Sequence, residues 1–208
     1  MDILLKYFPE LSDIQIQKFE QFAALFIEWN TQINLISRKD IDNLMVHHIL
    51  HSLAIAKTIR FVPDSQILDL GTGGGFPGIP LAILWEDVNF TLLDSIGKKI
   101  MVVNDIAEKL QLNNVLGIHG RVEENKSKYD FVLTRAVADI SKLLPWTRMV
   151  ISKTHRNEVP NGLFALKGAT YKDEIKNTGK KIYCEPYPIS DYFTEDYFNE
   201  KFVVYYQA

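Results

Sequence analysis

Apolar positions change their period along the chain. From Ser12 to Gln32, Phe19, Phe22, Phe26 and Trp29 recur at helical spacing behind a serine suited to an N-cap, and the pattern repeats from Asp40 to Ile59. Two helices are therefore expected to open the protein. Beyond residue 60, strand-like runs take over: "QILDL" (66–70), "FTLLD" (90–94), "NVLGI" (114–118), "YDFVLTR" (129–135) and "GLFALK" (162–167). Helical periodicity lies between them at 78–86, 96–110, 139–151 and 170–178. Such alternation predicts a parallel, doubly wound α/β sheet with helices on both faces. "KKIYCEPYPI" and "EKFVVYYQA" then follow without a helix between them, which predicts a closing antiparallel pair and brings the sheet to seven strands. The intervening "SDYFTEDYFN" reads as an exposed acidic loop. The organisation expected is a helical extension over residues 1–60 and a Rossmann-like domain over 61–208.

With 208 residues, 47% of them apolar, the chain is long enough to bury a substantial core. No apolar run approaches the roughly 20 residues that span a bilayer, and the first residues are acidic where a secretory signal is basic. A cytoplasmic protein with no membrane partner is expected. The single Cys184 reads as a structural thiol. Charge changes the picture more: residues 140–181 hold nine Lys and Arg against three Asp and Glu, in a chain of net charge −3. That segment suits phosphates, or a solvated helix face.

The stretch "ILDLGTGGGFPGIPLAI" (67–83) stands after the first strand, where the ligand crevice of a doubly wound sheet lies. Glycines there allow a close backbone approach to a ligand. Gly73 to Gly78 fits G-x-G-x-x-G, the dinucleotide fingerprint, but the register counted from the strand puts Phe76 where the last glycine belongs. No Gly-Lys-Ser/Thr follows, so a phosphate loop is not expected. The better description is D-x-G-x-G-x-G from Asp69, whose carboxylate would orient the loop or meet a cationic part of the ligand. Asp94 ends the second strand, 19 residues after Gly75, at a spacing suited to ribose hydroxyls. That residue indicates a nucleoside and leaves open which one.

"DLGTGGGFPGIPLAI", "LLDSIGKK", "GRVEE", "FVLTRAVA" and "FALKG" stand in order and at the spacing of the RsmG (glucose-inhibited division protein B) family, and "WNTQINLIS" and "HHILHSL" extend the match over essentially the whole chain. The sequence thus resembles a family of bacterial S-adenosylmethionine-dependent methyltransferases acting on N7 of a guanine in 16S ribosomal RNA. The resemblance implies a class I methyltransferase fold and S-adenosylmethionine as cofactor. It implies cofactor contacts from Gly71, Gly73, Gly75, Phe76, Asp94, Ser95, Val122, Glu123 and Arg135, the last also as the catalytic-site arginine, and the loop pattern adds Asp69 to the expected cofactor contacts. Asn34, Arg38, His48, Arg121 and Lys167 are the implied RNA contacts, and the partner is 16S RNA or the small ribosomal subunit. The family pattern "HILDS" carries an aspartate where this sequence has His51.

The chemistry agrees from a separate direction. Methylation of a pyrimidine carbon requires a nucleophilic cysteine, and Cys184 stands away from the expected site. Amine methylation commonly goes with an Asn/Asp-Pro-Pro-aromatic turn, where this chain has "LTRAVAD". Guanine N7 presents an in-plane lone pair, so alignment suffices and no essential base is expected. His47, His48 and His51 lack the Glu of H-E-x-x-H, so no metal is expected. Lys98 and Lys99 read as the start of a solvated helix face. A monomer is expected. The rival readings are an NAD-dependent oxidoreductase and a non-catalytic ribosome-assembly factor that keeps the fold.

Overall fold

Ser12 caps the first long helix as its position suggests. Its Oγ accepts the Gln15 N–H at 3.3 Å while Gln15 Oε1 accepts the Ser12 N–H at 3.0 Å, a reciprocal capping box. The same Gln15 amide donates to the carbonyls of Ile83 and Leu84, tying this helix start to the body of the protein. A computed structural model describes residues 1–135, 137–178 and 182–208. Ala136 of "FVLTRAVA" and Lys180 and Lys181 of the basic segment lie outside the described residues.

A short α1 (Asp2–Tyr7), which periodicity did not predict, precedes α2 (Asp13–Gln32). The helix expected over 40–59 has mixed pitch. It runs from a 3₁₀ turn (Ile41–Asn43) through a π-helix (Leu44–Leu50) to one α turn, α3 (His51–Leu53), and a closing 3₁₀ turn (Ala54–Lys57). The strands and helices β1 (Gln66–Leu70), α4 (Gly78–Leu84), β2 (Asn89–Asp94), α5 (Gly97–Lys109), β3 (Val115–His119), β4 (Phe131–Arg135), α6 (Ile140–Val150), β5 (Gly162–Gly168) and α7 (Tyr171–Asn177) alternate as predicted. Then β6 (Cys184–Pro188) and β7 (Lys201–Gln207) close the sheet. Strand order is β3-β2-β1-β4-β5-β7-β6, with β7 antiparallel to both neighbours and the other pairings parallel. The order reverses direction between β1 and β4, which opens a crevice above their carboxyl ends.

The expected boundary near residue 60 falls within a shared core. Phe22 and Phe26 of α2 pack tilted and edge-on, respectively, against Phe76 of the glycine loop, at 5.5 and 5.0 Å between ring centres. Those residues belong to one apolar cluster with Phe61, Ile67, Phe131 and Phe164. Each such side chain contributes about 1.5–3 kcal/mol when fully buried, so the N-terminal helices are held by the sheet layer they cover.

The segment 190–199 is not an exposed loop. Phe193 and Phe198 are buried in the core, between 3₁₀ turns at Ile189–Asp191 and Asp196–Phe198. Its Glu195 accepts from Lys6 Nζ at 2.9 Å and Tyr7 Oη at 2.8 Å, closing the chain's end onto α1. Aromatic burial outweighs the acidic composition that suggested solvent exposure.

Candidate active site

Parallel strands end in the crevice, and the residues that end them set its chemistry. Asp69, one residue before the end of β1, faces the layer below the loop and is fully buried. Its Oδ2 accepts from Thr72 Oγ1 at 2.6 Å and from the Gly78 N–H at 2.8 Å, while Oδ1 has no partner among the described residues. Burial pushes this carboxyl up to about 7 despite those hydrogen bonds. Asp69 therefore ties the two ends of the glycine loop together.

Above it the loop turns through left-handed backbone at Gly71 (φ +71°) and Gly73 (φ +60°). A side chain at Gly71 would collide with Val137, whereas one at Gly73 would meet no atom within 4 Å. The Gly73 N–H donates to Asp94 Oδ2 at 2.9 Å, and the Ile96 N–H donates to Asp94 Oδ1 at 2.9 Å. The carboxylate that ends β2 is thus pinned by one backbone donor per oxygen, with a further lone pair left on each.

Gly71, Gly73, Phe76, Asp94, Ser95, Arg121, Val122, Glu123 and Arg135 line one cavity of about 460 Å³. Beside the loop, where Leu35 packs against Gly74, Leu35 and Ile36 form part of the wall, held by Asn30, whose Oδ1 accepts both their N–H groups at 2.9 and 3.0 Å. Arg135, at the end of β4, donates from Nη1 to the His47 carbonyl at 3.3 Å and stands 4.7 Å from the Phe76 ring centre. No carboxylate forms an ion pair with it among the described residues. Burial lowers its pKa to about 10, which leaves it charged at neutral pH.

A volume of this size, a backbone cradle with open space at Gly73 and a pinned carboxylate suit a nucleoside cofactor. The family model for rRNA small subunit methyltransferase G matches residues 15–190. The chain belongs to this family. Its relatives named ribosomal RNA small subunit methyltransferase G include one from Phocaeicola vulgatus, 51% identical over 99% of this chain and 97% of that protein. Another, from Bacteroides thetaiotaomicron, is 47% identical over the full length of both chains. Among solved structures, a SAM-dependent methyltransferase from Aquifex aeolicus superposes with a TM-score of 0.58 at 14% identity, over 82% of this chain and 98% of that one. TYW2 from M. jannaschii in complex with AdoMet gives 0.53 at 16% identity, over 82% and 76%. These likenesses establish the Rossmann-like class I methyltransferase fold. As a member of its family the protein is an rRNA methyltransferase, and its cofactor is S-adenosylmethionine.

Several residue expectations need correction within this family site. Asp69 and Gly75 do not line the cavity: Asp69 lies under the loop, and the missing side chain of Gly75 leaves room for Ile79. Lys167 is not free for RNA, because its Nζ donates to Glu174 Oε2 at 2.7 Å and to the Ala138 carbonyl at 3.0 Å, which locks α7 against β5. His48 is buried beneath Phe76, its Nε2 2.7 Å from Asp40 Oδ2. Asn34 and Arg38 are exposed and flank Leu35 and Ile36 outside the cavity lining. Lys99, expected on a solvated face, lines the cavity, as do Val137 and Trp146, which periodicity assigned to no site. "NLIS" within the matched N-terminal motif was the available signal for Leu35 and Ile36.

The histidines predict a pH effect. Burial, then the Arg135 charge, lowers His48 to about 4 and holds His51 well below its ordinary value. The unfolded chain takes up protons between pH 6.5 and 4 that the folded protein refuses, so stability is complete above about 6.5 and falls as pH drops through that window. His48 alone is expected to cost about 2 kcal/mol at about pH 5, seen as a lower urea midpoint than at about pH 7. Equal midpoints would contradict the neutral, buried assignment. No group of three or more His, Cys, Asp or Glu suited to a metal occurs among the described residues, and no described helix is long and apolar enough to cross a membrane.

Proposed function

We propose that the protein methylates N7 of a guanine in 16S ribosomal RNA, within the small subunit and in the cytoplasm, acting as a monomer. The observation that carries this is a charged Arg135, with no ion pair among the described residues, on the wall of the same cavity that holds the pinned Asp94 carboxylate. When bound, S-adenosylmethionine supplies an electrophilic methyl group on a sulfonium. Asp94 accepts hydrogen bonds from the ribose hydroxyls through its free lone pairs, and its charge suits a cationic cofactor. Val122 and Glu123 flank the adenine, Val122 with an apolar wall and Glu123 with a polar edge. Gly71 and Gly73 let the backbone approach closely.

Arg135 donates to an acceptor oxygen of the target nucleotide, with Phe76 and the His47 carbonyl fixing its plane. Guanine offers such an oxygen at O6, beside N7, so one held hydrogen bond orients the nucleophilic lone pair. No proton needs to leave N7 before it attacks. Catalysis then rests on alignment and on exclusion of water by Leu35, Ile36 and Phe76. Cys184 sits on β6, at the far edge of the sheet from the cavity, which removes the nucleophile that pyrimidine-carbon methylation requires.

Incubating the protein with small subunits and methyl-labelled S-adenosylmethionine tests the reading. Label is expected in 16S RNA, and calorimetry is expected to show S-adenosylmethionine binding in preference to NAD. Cofactor binding without methyl transfer would support an assembly factor; preferential NAD binding would support an oxidoreductase.

A further inference from the structure

At the opposite end of the sheet, Lys128, Arg148, Lys153 and His155 line a second cavity of about 470 Å³. Three segments converge there. Backbone hydrogen bonds from the Tyr129 N–H to the Val150 carbonyl (2.9 Å) and from the Ser152 N–H to the Tyr129 carbonyl (2.8 Å) join the end of α6 to the start of β4. Asn161 folds the following loop back by donating to the carbonyls of Ser152 and Thr154 at 3.1 and 2.8 Å. Its own N–H donates to His155 Nδ1 at 3.0 Å, so the neutral ring carries its proton on Nε2 as a donor.

The charges are unbalanced at this point in a way they are not nearby. Arg156 and Lys167 of the same basic segment are neutralised by Asp130 at 2.9 Å and Glu174 at 2.7 Å. The side chains of Arg148 and Lys153 form neither a hydrogen bond nor an ion pair among the described residues, and the carboxylate of Ala208 is the one anionic group in a lining that also holds Lys128. A concave wall with an excess of one sign concentrates counter-ions of the other. The surface also continues: Lys142, Pro145, Arg148 and Met149 form one exposed stripe of α6. That helix runs back from the carboxyl ends of the strands, and its Trp146 lines the cofactor cavity. Trp146 at the methyl-transfer cavity and Arg148 at the second stand on the same helix, so α6 bridges the two cavities.

We propose that this second cavity is a phosphate site, and that the exposed stripe of α6 carries RNA backbone to it from the mouth of the methyl-transfer cavity. The inference rests on the reading that ribosomal RNA is the substrate. It adds a backbone contact outside the methyl-transfer cavity, which would fix how the RNA lies across the protein.

The test is the double variant Arg148→Gln with Lys153→Gln, leaving Lys128 in place because its Nζ donates to the Met149 carbonyl at the end of α6. With small subunits as substrate, KM is expected to rise about tenfold while kcat and the S-adenosylmethionine Kd stay unchanged. The slope of log affinity against log salt is expected to flatten by about 1.4–1.8, from two lost phosphate contacts. An unchanged KM and salt slope would overturn the proposal. Inorganic phosphate that shifts the amide resonances of residues 148–155 in the wild type, with no change of KM or slope in the variant, would mean a small-anion site and would also overturn the RNA path. Carbodiimide coupling of Lys153 to a ribosomal protein carboxylate would overturn it in favour of a protein partner. Should the wild type methylate no 16S RNA at all, the substrate reading itself fails, an outcome distinct from all three.

Discussion

Asp94→Ala is expected to weaken S-adenosylmethionine binding by about 10²-fold. Two losses combine in that number. The carboxylate fixes the loop through the Gly73 and Ile96 N–H groups, and its remaining lone pairs are the acceptors available to the ribose. Hydrogen bonds to a charged acceptor contribute about 1.5–3 kcal/mol each, and a loss of roughly 3 kcal/mol corresponds to about 10²-fold in Kd. Asp94→Asn keeps one carbonyl acceptor and is expected to lose only about tenfold. Calorimetry distinguishes the two, and an alanine variant within threefold of wild type would take Asp94 out of the cofactor site.

Arg135→Ala is expected to lower kcat/KM for the small subunit by about 10²-fold while the S-adenosylmethionine Kd moves less than threefold. A guanidinium held on the cavity wall without an ion pair among the described residues is available to substrate, and losing a hydrogen bond from a charged donor costs about 1.5–3 kcal/mol. Arg135→Lys keeps the charge but not the planar group over Phe76, so its activity is expected to lie between the two. Collapse of cofactor binding in Arg135→Ala, equal to the loss of activity, would move this residue's role from substrate to cofactor.

These two residues show how far the sequence could be read. Asp94 was legible because it is the last residue of its strand and lies at a fixed spacing from a glycine loop. Asp69 has the same residue type and nearly the same position, yet it points below the loop. Side chains alternate along a strand, and Asp69 shares a face with Ile67 of the main core cluster, whereas Leu68 and Leu70 face the other cluster. Alternation pairs Asp69 with Ile67, but both faces of β1 are buried, so the sequence did not say which one lies under the loop. Lys167 was placed correctly at the end of β5, but its partner Glu174 comes from α7, a tertiary contact that spacing does not encode.

The parallel alternation of strands and helices was visible because buried strands carry continuous apolar runs. The 190–199 segment was not, since two buried phenylalanines lie among acidic residues with no strand or helix period to reveal them. His48 was read as an RNA contact and His51 as a departure from the family's aspartate, and burial under Phe76 and beside Tyr197 makes both neutral core groups. Trp146 has the spacing of an ordinary core residue of α6. Only the packing of that helix beside Val122 brings its ring to the cavity.

The central claim is that this cavity methylates a 16S guanine at N7. N7-methylguanine is the base at which borohydride and aniline cleave the RNA chain, so primer extension on 16S RNA from cells with and without the gene reads it directly. One guanine-specific stop is predicted in the presence of the gene, absent in the deletion, restored by the wild-type chain and not by Asp94→Ala. Identical stops in the two strains would contradict the account.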